Sequence, residues 1–111
     1  DKAAKRTALH YASHCGHAAI CMLLLDSPKF HAAEAVDAQG RTALITAASE
    51  GRANCLKVLL KSCRFTAAAA HVADEVGRTA LHWAAFRGHV AACTVLLKSS
   101  KLNESTADVV D

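Results

Sequence analysis

Large apolar side chains gather at three places along the chain. Ile20, Leu24 and Leu25, and again Leu56, Leu59 and Leu60, recur at spacings of three and four, and Val95, Leu96 and Leu97 form a third group whose paired leucines are in register with the other two. That period lines one face of a helix. Upstream of each group lies a stretch built from small residues, through Ala12 and Ser13, Ala47 and Ala48, and Ala84 and Ala85. Alanine favours helix, and Thr7, Thr42 and Thr79 stand where a hydroxyl can accept a hydrogen bond from the free amides of a starting helix. Gly16, Gly51 and Gly88 follow those threonines by nine residues in every case. A position just past a helix often turns left-handed, which glycine alone does without penalty. The pattern therefore predicts a short first helix over 8–15, 43–50 and 80–87, and after each glycine a second helix with larger side chains.

The elements repeat. Arg-Thr-Ala-Leu begins at Arg6, Arg41 and Arg78, at spacings of 35 and 37, and the paired leucines come eight and nine residues after each glycine. Three landmarks in register three times over exclude coincidence, and a period of this size marks a stacked repeat. First helices packed through alanine approach closely, and second helices packed through leucine stand farther apart. The stack is expected to curve, with first helices on the concave side. Between units, Asp37-Ala38-Gln39-Gly40 and Asp74-Glu75-Val76-Gly77 read as tight turns in which aspartate bonds its own backbone. They project as fingers.

These residues resemble the ankyrin repeat, whose pattern is a threonine, a proline or small residue, Leu-His-x-Ala-Ala, then Gly-His, then paired leucines. Thr7-Ala8-Leu9-His10-Tyr11-Ala12 with Gly16-His17 fits it, as does Thr79-Ala80-Leu81-His82-Trp83-Ala84-Ala85 with Gly88-His89. The resemblance covers nearly the whole chain. It implies an all-α solenoid of stacked helix-turn-helix units with projecting β-turn or hairpin fingers, one domain over 1–111 with repeats at 1–36, 37–73 and 74–110. The middle copy departs, with Ile45 for the histidine and Arg52 after the glycine, which is expected to loosen that helix start. Lys5 stands where the other two fingers carry glycine, and alanine replaces the family's proline throughout.

Units of this family run to ~33 residues, so the connections over 26–36 and 61–73 are longer than it needs. Each copy places an apolar residue five positions past its last leucine, Phe30, Phe65 and Leu102. They are expected to tuck the loops onto the core; the alternative is an exposed aromatic ridge. The chain opens at Asp1 almost inside a motif, and Asp111 falls where a further finger would begin. It therefore reads as a piece of a longer array, whose cut face could make end-to-end contacts in an otherwise monomeric fragment.

Composition narrows the function. The net charge is +3, with 13 basic residues scattered against 10 acidic ones, which argues against nucleic acid. No stretch approaches the ~18 apolar residues that would span a bilayer, so no membrane partner is expected. Five cysteines with no C-x-x-C pair suit reduced thiols in the cytoplasm, or in the nucleus. Cys21, Cys55 and Cys93 read as small core residues, and Cys15 and Cys63 as exposed ones. The best metal cluster, His10, His14 and Cys15, brings too few ligands for structural zinc. The resemblance further implies that His10, His17, His82 and His89 bond backbone around the helix starts and glycine turns. No phosphate loop, serine elbow or catalytic cysteine context occurs, so neither cofactor, metal nor catalytic residue is expected and the chain is not read as an enzyme.

A repeat stack binds through the residues each unit can vary. By the resemblance these are the finger tips and the exposed end of the first helix: Ala38, Gln39 and Arg41; Glu75, Val76 and Arg78; Ser49, Glu50, Phe86 and Arg87; and Arg6, His14 and Cys15 in the first copy. Tyr11, Thr46 and Trp83 share one helix position bordering the same groove. Trp83, Phe86, Arg78 and Arg87 are the strongest candidates, since aromatics and arginines carry most interface energy; alternatively, Trp83 and Phe86 pack on a missing neighbouring unit. The implied function is a non-catalytic protein-interaction module, or else the targeting arm of a larger enzyme such as a kinase or acyltransferase.

Overall fold

A computed structural model describes residues 5–62 and 64–99. Leu102, Cys63 and Asp111, which carry three of the expectations above, lie outside the described residues. Seven helices follow in chain order: α1 (Ala8–Cys15), α2 (Ala18–Asp26), α3 (Ala43–Ser49), α4 (Ala53–Lys61), α5 (Ala67–Ala70), α6 (Ala80–Phe86) and α7 (Val90–Lys98). No strand occurs among the described residues. The fold is the all-α stack that the repeat implies, and its fingers are turns rather than hairpins.

Each unit starts and stops as its residues dictate. The hydroxyls of Thr7, Thr42 and Thr79 accept the backbone N–H three residues on, at 3.4, 3.2 and 3.5 Å. In the first and third units the favour is returned, because the Thr7 and Thr79 amides donate to Nδ1 of His10 and His82 at 3.1 and 3.0 Å. With Nδ1 accepting, His10 keeps its proton on Nε2, which donates to the Arg41 carbonyl at 2.8 Å and ties the first unit to the next finger. Ile45 can make no such bond. It is buried instead, at 1% exposure, and Thr42 still caps α3.

At the far end the amides of His17, Arg52 and His89 reach back five residues to Ala12, Ala47 and Ala84 at 2.9, 2.8 and 2.9 Å, across glycines of positive φ. That is the closure a left-handed residue permits. The helices α3 and α6 stop one residue short of the predicted range because Glu50 and Arg87 act as caps before the glycine. Arg52 does not loosen the middle unit. Its Nε donates to the His14 carbonyl at 3.1 Å, and in the matching place His89 Nε2 donates to the Ser49 carbonyl at 3.0 Å. Two unlike side chains thus clamp one unit to the helix end of the unit before it.

Packing runs in two layers. The small-residue helices stack α1 on α3 on α6, and the leucine helices stack α2 on α4 on α7. Leu9, Leu44, Ala47, Ala84, Leu56, Leu59 and Leu96 are all at most 1% exposed. Cys21 and Cys55 are buried where the first two units meet, as their spacing suggested, and Cys15 is exposed.

The long connections are more structured than their sequence suggested. Thr66 caps a single helical turn, α5, by accepting the Ala69 amide at 3.2 Å, and its own amide donates to Glu34 in the preceding connection at 2.7 Å. Arg64 Nη1 donates to the Leu25 and Ser27 carbonyls at 3.0 and 2.8 Å, satisfying the open end of α2. Phe65 is fully buried and Phe30 is half-buried against the core, so the exposed-ridge alternative fails for both.

Replacing Phe65 with alanine should cost ~3–5 kcal/mol in chemical denaturation, the range for emptying a buried aromatic site, and Phe30→Ala should cost less. A second pair of variants separates backbone strain from packing. Gly51 and Gly88 have φ of +71° and +72°, but a Cβ on Gly51 would sit 2.7 Å from the His89 ring whereas one on Gly88 meets nothing. Both alanine variants should lose ~1–2 kcal/mol to the left-handed backbone. Gly51→Ala should lose about 1 kcal/mol more, through the His89 bond, and melt at the lower temperature.

Candidate functional site

The finger between the second and third units begins at Asp74, whose side chain is almost fully buried. Its Oδ1 accepts the amides of Val76 and Arg78, both at 3.0 Å, and its main chain closes the turn through Gly77 and Arg78. Asp37 builds the preceding finger with the amides of Gln39 and Arg41, both at 2.9 Å. The fingers join where the Glu75 amide donates to the Gln39 carbonyl at 3.0 Å.

Asp74 does one thing that Asp37 does not. Its Oδ2 accepts Trp83 Nε1 at 2.8 Å and faces Arg41 Nε at 4.0 Å, so one carboxylate binds its own finger, the helix behind it and the finger before it. Burial alone raises the pKa of this carboxyl, but the Arg78 amide, the Trp83 indole, the Val76 amide and the Arg41 charge outweigh it, and the group ionises below its ordinary 3.8.

Around the indole three guanidiniums converge. Arg41, Arg78 and Arg87 lie 4.7, 5.1 and 5.8 Å from the centre of the Trp83 ring, and Arg78 is also 5.4 Å from the Phe86 ring. Phe86 meets Trp83 edge-on with ring centres 6.1 Å apart. The arrangement follows from one position in the repeat. The finger arginine precedes a helix residue by five: Arg6 and Tyr11, Arg41 and Thr46, Arg78 and Trp83. Arg6 lies 6.0 Å from the Tyr11 ring, but Thr46 offers Arg41 no ring, and Arg41 crosses to Trp83 of the following unit.

The other candidates divide. Gln39, Glu75 and Val76 are exposed at the finger tips, and Arg6 is exposed beside Tyr11. His14 and Glu50 face each other across the first two units at 3.8 Å. Two expectations are corrected. Ser49 is only 3% exposed, because the third unit covers it and His89 bonds its carbonyl. Trp83 is only 6% exposed, a platform beneath the arginines rather than an open contact, and its named partners, Asp74 and Arg41, belong to the finger and unit before it. Phe86, in the same repeat position as His14 and Ser49, is 72% exposed. The bridging role of Asp74 was missed; the sequence signalled its turn but not its reach to Trp83.

Burial, with Cys21 alongside, pushes the Cys55 thiol up to about 12, against a smaller opposing pull from Arg52, so it stays protonated and acts as a packing residue. Among the described residues no three His, Cys, Asp or Glu side chains group as a metal ion requires, and no helix is long and apolar enough to cross a membrane.

Because the folded pKa of Asp74 is depressed, its contribution to stability is complete above the ordinary value and is lost as pH falls through the lower folded one. The Asp74 contribution, read as the difference between thermal melts of the parent protein and of Asp74→Asn, should therefore be constant down to about pH 5 and decline below about pH 4. Asp74→Asn should flatten part of the parent's acid decline and shift Trp83 emission; an acid limb identical to that of the parent protein would remove Asp74 as its source.

A search of curated proteins returned no significant match. A family model described as ankyrin repeats, in three copies, matches residues 1–69 and 32–108. Such repeats generally mediate protein–protein interaction and are typically non-catalytic. Together the two matched ranges span residues 1–108, and the chain belongs to the ankyrin-repeat family.

Proposed function

We propose that the chain is a non-catalytic interaction module that holds a segment of another protein against the face formed by its first helices and fingers, which we take as the concave face, at Arg41, Arg78, Trp83, Phe86 and Arg87. The observation that carries this reading is the convergence of three guanidiniums on one indole beside an exposed phenyl ring. Arginine and aromatic side chains dominate interface energy, and here the aromatic platform holds the arginines without using up their outward N–H groups. Gln39, Glu75 and Val76 would border the bound segment from the finger tips, with Arg6, His14 and Glu50 extending the surface along the first two units.

A recess lies elsewhere on the chain. An open groove of about 830 Å³ runs between α4 and α7 on the second-helix layer, lined by Ala53, Lys57, Leu60, Thr94, Val95 and Lys98. Lysine is depleted at interface centres, where its flexible, strongly hydrated ammonium is costly to immobilise. The Arg-Trp cluster therefore ranks above that groove.

Peptides selected from a displayed random library for binding to the chain provide the test. Arg78→Glu with Arg87→Glu should weaken their capture ~100-fold or more, and Lys57→Glu with Lys98→Glu should leave it within about twofold. Capture that survives the first pair and is lost with the second would place binding in the groove and end the assignment.

A further inference from the structure

The charge around Trp83 is unbalanced. Arg41, Arg78 and Arg87 surround the indole, and the acidic group bonded to that ring is Asp74, whose Oδ1 already takes two backbone amides and whose Oδ2 takes the indole N–H. Among the described residues neither Arg78 nor Arg87 has an ion-pair partner. Glu50, the acidic side chain at the Arg87 position of the preceding unit, is paired with His14. Two guanidiniums thus present free N–H groups beside an apolar ring that is 72% exposed.

From this we infer that the segment bound at the proposed face is an acidic peptide, with a glutamate or aspartate carboxylate lying between Arg78 and Arg87 and an adjoining apolar side chain covering Phe86. The inference rests on the interaction reading above and supplies its partner chemistry. The planar fork of a guanidinium matches a carboxylate in two parallel hydrogen bonds. A phosphorylated segment fits less well. Phosphate dianions are usually cradled by several backbone amides as well as by cations, but the amides of this finger are committed: Glu75 to Gln39, Val76 and Arg78 to the Asp74 carboxylate, and Gly77 to the Asp74 carbonyl. The Asp74 carboxylate bonded to the indole would repel a dianion more than a monoanion.

Trp83 is the chain's one tryptophan and reports directly on its arginine neighbours. A short capped peptide with glutamates flanking a single leucine, titrated into the chain, should change Trp83 emission saturably. Glutamine in place of every glutamate should weaken binding ~10-fold or more, as should Arg78→Gln or Arg87→Gln, while Arg87→Lys loses less. Far-UV circular dichroism and an unchanged melting temperature keep loss of contact distinct from loss of fold. The inference is overturned if the glutamine peptide binds within about twofold, if a phosphoserine peptide binds ~10-fold more tightly than the glutamate one, or if oligothymidylate outcompetes both. Library-selected peptides that depend on Arg78 and Arg87 yet tolerate neutralisation of their own acids would sink the carboxylate while leaving the interaction face intact. Selected peptides indifferent to those arginines would sink the face itself.

Discussion

A two-helix unit of this size has no interior of its own, and everything else in the molecule depends on how the neighbouring unit supplies one. The middle unit shows the full effect. In α3, Ala43, Leu44, Ile45, Ala47, Ala48 and Ser49 are all buried, because α1 covers one side and α6 the other. The outer units show what is missing: Ile20 in the first is 45% exposed where the matching Cys55 and Ala92 are buried, and Leu97 in the third is 60% exposed where Leu25 and Leu60 are buried. Apolar contact is non-directional and would tolerate sliding. Register comes from polar clamps on main-chain carbonyls, His10 on Arg41, Arg52 on His14 and His89 on Ser49, each joining one unit to the next.

The same economy of partners shapes the candidate site. Asp74 is buried and charged, a costly combination that persists only when it is compensated; its donors come from its own finger and the helix behind it, and the preceding unit adds the Arg41 charge 4.0 Å away. Holding that carboxylate fixes the indole, and the indole in turn arrays the arginines. Structural and recognition roles are therefore divided between adjacent atoms of the same few residues: Trp83 faces inward through its N–H and supports cations with its ring, while Arg41 gives its Nε side to Asp74 and its plane to Trp83.

Much of this was legible in the sequence, because the features in question are local. Threonine caps, glycine closures and finger aspartates each act within a few residues, so composition and spacing suffice to place them. Burial of Phe65 could be inferred because an apolar residue recurs at that offset. The remainder was hidden for two physical reasons. Four consecutive alanines after Thr66 make a turn of helix where long-range bonds hold its start, from Arg64 to the end of α2 and from the Thr66 amide to Glu34, and no short-range pattern shows that. Exposure at the first-helix positions is set by the following unit: Ser49 and Phe86 are equivalent in the repeat, yet one is covered and the other open. Trp83 misled in the opposite direction, since a large aromatic near a groove can line it from beneath as well as from within.

Arg41 leans out of its own unit because Thr46 gives it nothing to stack on, and the cluster is consequently assembled from two repeats rather than one. Stacks of this kind open from their ends, one unit at a time, at a free-energy cost below that of global unfolding. Any opening of the third unit removes Trp83, Phe86, Arg78 and Arg87 from Arg41 together. The apparent affinity of the face is then its intrinsic affinity scaled by the fraction of molecules in which the third unit is docked on the second. A substitution anywhere in the seam between the second and third units, the His89 clamp included, acts as a dial on recognition without touching the ligand.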